Sequence, residues 1–110
     1  MINSINLEFL TDFIQSLGDT SSSKPFSDHQ TVFYVDKKMF ALLDFSKDPL
    51  KLSLLCDKKL ADVLKEKYEE VVDGINLNPE NWISIIITGQ LNAEEIKDLI
   101  RHSYQQAIIE

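Results

Sequence analysis

The chain has 110 residues, a net charge of −7, 44% hydrophobic residues and 26% charged residues. A chain of this length forms a single core, so we expect one domain spanning residues 1–110. The excess of Asp and Glu over Lys and Arg disfavours unaided attraction to nucleic-acid phosphates. The only cysteine, Cys56, excludes an intrachain disulfide and a zinc site of clustered thiolates. No signal-like leader and no apolar run of about 18 residues is present, so we expect a cytoplasmic protein without membrane contact.

The first quarter of the chain predicts a helix and a loop. Residues 6–17 carry apolar side chains at helical spacing, and Gly18 follows where a helix commonly ends. The polar, serine-rich residues 18–25 predict a loop within the domain.

The next quarter predicts three strands. Residues 31–35 are rich in β-branched and aromatic side chains, residues 36–38 interrupt this pattern, and the apolar residues 39–43 follow. These features predict a β-hairpin. Residues 50–54 alternate apolar and polar side chains, which predicts a third antiparallel strand with one covered face.

The second half predicts two helices around a strand. Asp57 can cap a helix extending to about residue 68, and residues 82–87 form the most apolar strand candidate of the chain. Turn-forming pairs occur between these elements, at 73–74 and 78–79. Asn92 with Glu95 is typical of a capping box and begins a helix that runs to about residue 108.

This order of elements, with hairpin connections in place of repeated βα crossovers, predicts an α+β fold. We expect a mainly antiparallel sheet with helices packed on one face.

The chemistry of the side chains does not favour catalysis. Only His29 and His102 are available as imidazole bases or metal ligands, and neither lies in a recognisable motif. Gly18, Gly74 and Gly89 are isolated, so no glycine-rich phosphate loop exists. Cys56 precedes the Asp57 cap, where a helix N-terminus could activate a thiol, but a small buried residue is the favoured interpretation. We therefore expect no enzymatic activity, no metal and no cofactor.

Two regions remain as candidate binding sites. Lys37 and Lys38 at the hairpin tip could touch a DNA backbone, but interleaved carboxylates favour an ordinary mixed-charge surface. Three asparagines surround the only tryptophan in residues 74–82 and could line a polar cleft. The simpler interpretation is that these asparagines close turns while Trp82 anchors the core.

Four segments in register make the chain similar to the MmcQ/YjbR family. They are residues 32–42 (Val-Phe-Tyr-Val-Asp-Lys-Lys-Met-Phe-Ala-Leu), 54–57 (Leu-Leu-Cys-Asp), 74–78 (Gly-Ile-Asn-Leu-Asn) leading to Trp82, and 102–104 (His-Ser-Tyr). The resemblance covers the chain from about residue 24 to the C-terminus. It implies a small CyaY-like (frataxin-like) α+β fold and the DNA-binding label that the family usually carries.

The chain departs from the family pattern in two places. The family usually has the segment Gly-Tyr-His-Leu-Asn-Lys-Lys-His-Trp, and this chain has Pro79-Glu80-Asn81 in place of its Lys-Lys-His. The family also usually has Pro-Phe-Gly, and this chain has Ser27 in place of that glycine. The first change removes positive charge, so affinity for phosphates should fall. Glu8 and Asp12 are also too sparse for the acidic helix that iron binding in a frataxin-like fold requires.

Two main hypotheses follow, and catalysis through Cys56 or His102 is kept as a third because the sequence does not locate these groups relative to each other. The first is a non-enzymatic monomer that binds DNA, as the family label implies, through Lys37 and Lys38. The second is a protein or small-ligand interaction module. Its candidate ligand-binding residues are Asn76, Asn78, Asn81, Trp82, His102 and Tyr104.

Overall fold

A computed structural model describes residues 5–109. Within this range the helices are α1 (Leu7–Gln15), α2 (Lys58–Lys67) and α3 (Ala93–Ile109). The strands are β1 (Thr20–Ser23), β2 (Gln30–Val35), β3 (Lys38–Asp44), β4 (Lys51–Leu55), β5 (Val71–Asp73) and β6 (Trp82–Ile86). No helix in the described part of the chain is long and apolar enough to cross a membrane.

The strands form one antiparallel sheet in the order β1-β2-β3-β4-β6-β5. Strand register fixes which side chains share a face. Leu43, Leu52 and Ile85 are register partners, and one residue away Leu42, Ser53 and Ser84 form the neighbouring row. Because side chains alternate along a strand, these two rows lie on opposite faces of the sheet.

The three helices cover the face that carries Leu43, Leu52 and Ile85. Buried residues from each helix, such as Ile14, Leu64 and Ile100, join these strand residues in one hydrophobic cluster. The α+β fold with helices on one sheet face is therefore confirmed.

Ser103 joins α3 to the sheet at a defined register. Its fully buried hydroxyl donates to the carbonyl of Phe40 at 2.5 Å and accepts from the amide of Leu55 at 2.9 Å. These bonds satisfy backbone groups on β3 and β4 that would otherwise be buried without partners. The helix is thus positioned by hydrogen bonds as well as by apolar packing.

On the other face, which we call the open face, none of the helices within residues 5–109 packs. Three residues are nevertheless buried there: Val32, Leu42 and Trp82. They are buried because residues 74–77 and Phe26 lie over part of the sheet. This partial cover leaves a cavity.

Two predictions about local structure were wrong or incomplete. Thr20–Ser23 is an edge strand paired with β2, although its polar sequence predicted a loop. Its side chains bury little, so pairing with β2 and not its own hydrophobicity determines the conformation. Val71–Asp73 is a short edge strand beside β6 in a region where the sequence predicted no strand.

Glu70 is a buried carboxylate at the beginning of β5. It is 5% exposed, and its Oε1 accepts from the Leu91 amide at 2.6 Å. Its Oε2 accepts from the amides of Thr88 and Gln90 and from the Thr88 hydroxyl. One side chain therefore satisfies the polar backbone of the turn that links β6 to α3.

We predict that Glu70→Gln destabilises the protein by about 2–4 kcal/mol, because the amide nitrogen would face backbone donors that a carboxylate accepts. The exposed neighbouring Glu69→Gln removes the same charge and should change stability by less than about 0.5 kcal/mol. Urea unfolding of both variants measures the difference. Equal effects would show that the Glu70 network does not contribute to stability.

Candidate ligand-binding cavity

A cavity of about 290 Å³ lies on the open face between strands β2 to β4 and residues 75–77. This volume corresponds to about ten water molecules, enough for a small organic ligand. The residues lining it are Phe26, Gln30, Leu42, Asp44, Lys51, Ser53, Ile75, Asn76 and Leu77. We call this the sheet-face cavity.

The walls of the sheet-face cavity are mostly apolar. Leu42 lies on the sheet, while Phe26, Ile75 and Leu77 come from the covering loops. Phe26 is 64% exposed and Ile75 is 43% exposed, values that are high for large hydrophobic side chains beside a concave surface. An apolar lining with a few polar groups is typical of small-molecule sites.

Gly74 brings the covering segment close to the sheet. Its amide donates to the Trp82 carbonyl at 3.1 Å, and a Cβ at Gly74 would lie only 2.6 Å from the Trp82 Cβ. The next amide, of Ile75, donates to the Ser84 hydroxyl oxygen at 2.9 Å. Asn76 then turns the chain with a φ of 60°, a left-handed conformation that asparagine tolerates. The contacts with Trp82 and Ser84 and the turn at Asn76 therefore determine where Ile75 and Leu77 lie.

Asp44 and Lys51 are cross-strand partners at the polar end of the cavity. Asp44 accepts from the Ser46 amide at 2.9 Å, from the Ser46 hydroxyl at 2.7 Å and from the Gln30 side chain at 3.1 Å. Burial raises the pKa of Asp44, but the hydrogen bonds from Ser46 and Gln30 and the charge of Lys51 outweigh it, so the pKa lies below its usual value. Asp44 therefore remains ionised at neutral pH.

The predicted site residues in the 76–82 segment have different roles. Asn76 lines the sheet-face cavity. The Asn78 side chain accepts from the Glu80 amide at 3.0 Å and closes a turn, and the Asn81 carbonyl accepts from the Cys56 amide at 3.0 Å. Trp82 is 8% exposed and lies beneath the segment. The turn-closing interpretation holds for Asn78.

His102 and Tyr104 lie on α3, across the sheet from Asn76. His102 Nε2 accepts from the Asp57 amide at 3.1 Å, and the Tyr104 ring packs edge-on against Phe40 with 5.5 Å between centroids. The structure does not bring these two side chains together with Asn76 in one cavity.

Lys37 and Lys38 are exposed at the two-residue turn between β2 and β3. Two further lysines, Lys47 in the loop after β3 and Lys51 at the start of β4, lie near the other end of β3, which has seven residues and spans about 20 Å. Lys37 and Lys38 are therefore separated from Lys47 and Lys51 by the length of a strand.

Cys56 is buried, and the neighbouring groups do not activate it. Burial, together with the charge of Asp57, raises the pKa of its thiol to about 11, so the thiol stays protonated at neutral pH. Within residues 5–109, no group of three or more His, Cys, Asp or Glu side chains could hold a metal ion.

Sequence reasoning missed most of the cavity lining, including Phe26, Asp44, Lys51 and Ser53. Asp44 and Lys51 carried a signal, because one charge directly follows a predicted strand and the opposite charge is the second residue of the next predicted strand. Ser53 carried no such signal, because only the register of β4 against β6 places it beside Ser84.

Six antiparallel strands, three helices on one face and a ligand-sized cavity on the other define a small single-sheet α+β protein. The family profile of YjbR matches residues 15–106, and the chain belongs to this family. The resemblance seen in the sequence is thereby confirmed.

Relatives share the fold at moderate identity. The chain is 28% identical over 78 residues to the uncharacterized protein YjbR of Escherichia coli K12, covering 71% of this chain and 66% of that protein. It is similar to the crystal structure of Deinococcus radiodurans DR2400, a DUF419 domain protein, with a TM-score of 0.85, 30% identity and coverage of 92% and 77%. A Pseudomonas syringae crystal structure matches with a TM-score of 0.80, 26% identity and coverage of 94% and 99%.

The hairpin tip provides a test of backbone strain. Asp36 and Lys37 have φ values of 50° and 67°, the conformation of a type I′ turn, which favours Asn-Gly. We predict that Lys37→Gly stabilises the protein by about 0.5–1 kcal/mol because glycine adopts this conformation without strain. Lys38→Gly, within strand β3, should instead destabilise it by a similar amount. Thermal unfolding distinguishes the two. Destabilisation by Lys37→Gly would contradict the turn assignment.

Proposed function

We propose that this protein is a non-enzymatic binding protein whose ligand is a small molecule held in the sheet-face cavity. The observation that carries the proposal is a concave, largely apolar site with Asp44 and Lys51 at one end. Apolar walls supply affinity, and a few fixed polar groups orient the ligand.

The support comes from the way the cavity is built. Its floor belongs to a rigid sheet, since Leu42 and Ser53 lie on strands with neighbours on both sides. Its cover is held by hydrogen bonds to Trp82 and Ser84. A preformed site binds with less loss of conformational entropy than a site that must be ordered.

The cysteine thiol and the His102 imidazole support a binding role over catalysis. Cys56 holds a protonated thiol, and the His102 Nε2 lone pair already accepts from the Asp57 amide. Neither group lines the sheet-face cavity.

Nuclear magnetic resonance screening of small amphipathic compounds tests the proposal. We expect bound compounds to shift the amide signals of residues 75–77 and of Leu42 and Ser53. Leu42→Trp fills the cavity and should abolish binding, whereas Val63→Trp, at an exposed site on α2, should leave it unchanged. Signal changes confined to the opposite face, or no bound compound, would contradict the proposal.

A second candidate function is DNA binding, which the family resemblance implies. The observation that favours it is that Lys37 and Lys38 protrude at the hairpin tip and make no ion pair among the described residues. Such lysines would contact phosphates and not bases.

Fluorescence anisotropy with duplex DNA tests this candidate. If the hairpin tip binds, affinity should fall steeply between about 50 mM and about 200 mM salt. The double variant Lys37→Gly/Lys38→Ala should weaken binding equally for unrelated sequences. Lys24→Ala/Lys47→Ala removes the same charge from exposed sites away from the hairpin tip and serves as the control. No binding at low salt, or equal loss in both variants, would contradict a site at the tip.

A further inference from the structure

Lys51 is a partly buried lysine with an unused ammonium group. Lys65 and Lys97, which are also partly buried, form ion pairs with Asp73 and Glu94. The Lys51 Nζ makes no hydrogen bond or ion pair within the described residues, although it lines the sheet-face cavity and acts electrostatically on Asp44. Three donor positions of one ammonium group therefore face solvent or a ligand.

The Asp44 carboxylate forms no ion pair with the Lys51 ammonium group. Its two carboxylate oxygens already accept from Ser46 and Gln30. The polar end of the cavity therefore has an internally satisfied anion beside a cation that lacks a hydrogen-bonded partner.

Ser53 supplies a second donor in the same cavity. The hydroxyl oxygens of Ser53 and Ser84 are 2.7 Å apart, and Ser84 also accepts from the Ile75 amide. Ser84 is fully buried, so its proton has an acceptor only if Ser84 donates to Ser53. Ser53 then accepts from Ser84, and its own proton is free to donate toward the cavity that it lines.

The apolar lining lies beside these donors. Leu42 is the cross-strand neighbour of Ser53, and Phe26, Ile75 and Leu77 close the remaining sides. A ligand matching this arrangement has an apolar body with one anionic, hydrogen-bond-accepting group at its end.

We propose that the sheet-face cavity binds a small carboxylate with an aromatic or branched aliphatic body. The carboxylate accepts from the Lys51 ammonium and the Ser53 hydroxyl, and the body packs against Leu42, Phe26 and Ile75. This inference rests on the proposed ligand-binding function and adds the chemical class of the ligand. A carboxylate is favoured because charge-assisted bonds are stronger than bonds between neutral groups.

The experiment compares three probes that share one body: 3-phenylpropanoate, 3-phenylpropanamide and 3-phenylpropylamine. Binding is measured by isothermal calorimetry and by amide shifts of residues 75–77. We expect the carboxylate to bind at least ~10-fold more tightly than the amide, and the cationic amine to bind most weakly.

Variants locate the anion contact. Lys51→Met keeps the length of the side chain as far as Cε but removes the ammonium group, and should remove the preference for the carboxylate over the amide, while Lys51→Arg should retain it. Lys38→Met, exposed at the hairpin tip, is the charge-matched control and should bind as the unmodified protein does. Thermal unfolding of each variant verifies that it is folded.

The outcomes separate this inference from the function on which it rests. Tighter binding of the amide or the amine in the cavity would overturn the carboxylate class and leave the ligand-binding function standing. A carboxylate preference that survives Lys51→Met would overturn the role of Lys51. If none of the three probes binds in the cavity, the carboxylate proposal is overturned, and the compound screen decides the function separately.

Discussion

The candidate site depends on how residues 74–77 are attached to the open face of the sheet. The Gly74 amide bonds to the Trp82 carbonyl, and the Ile75 amide bonds to the Ser84 hydroxyl. Because a Cβ at Gly74 would collide with Trp82, only glycine allows the segment to approach this closely. Without this attachment the sheet-face cavity would lose the wall formed by Ile75 and Leu77. The apolar surface of Leu42 would then lie on an uncovered sheet.

The two faces of the sheet differ in construction, since one carries the main core and the other carries the cavity that we propose as a ligand site. Neighbouring residues on β4 show the division, since Leu54 packs into the main core under the helices and Ser53 faces the cavity. Ser103 and Glu70 fix the helical side through buried hydrogen bonds, so the open face is not required to hold the helices in place. A substitution in the sheet-face cavity therefore leaves the hydrogen bonds of Ser103 and Glu70 in place.

The sequence predicted elements whose cause is local and missed those whose cause is long-range. Helical spacing identified α1 to α3, β-branched and aromatic density identified β2 and β6, and the apolar run after residues 36–38 identified β3. Thr20–Ser23 was missed because nothing in a polar run indicates a strand until β2 lies beside it. The site was only partly predictable for the same reason. Asn76 was predicted, but the role of Ser53 depends on its hydrogen bond with Ser84, which lies 31 residues away in the sequence. His102 and Tyr104 were grouped with Asn76 in the absence of any information on the face that α3 covers.

The net charge of −7 does not conflict with a site for an anion. Net charge acts at long range, where it slows the approach of an anionic ligand and is screened by salt beyond about 8 Å. Affinity depends on the groups in contact, and at the polar end of the cavity the Asp44 charge is offset by donors from Ser46 and Gln30. Lys51, which is partly buried, and Ser53, which is buried, remain as donors where electrostatic interactions are stronger than at the surface. A protein with a net negative charge can thus still bind a small carboxylate at one place.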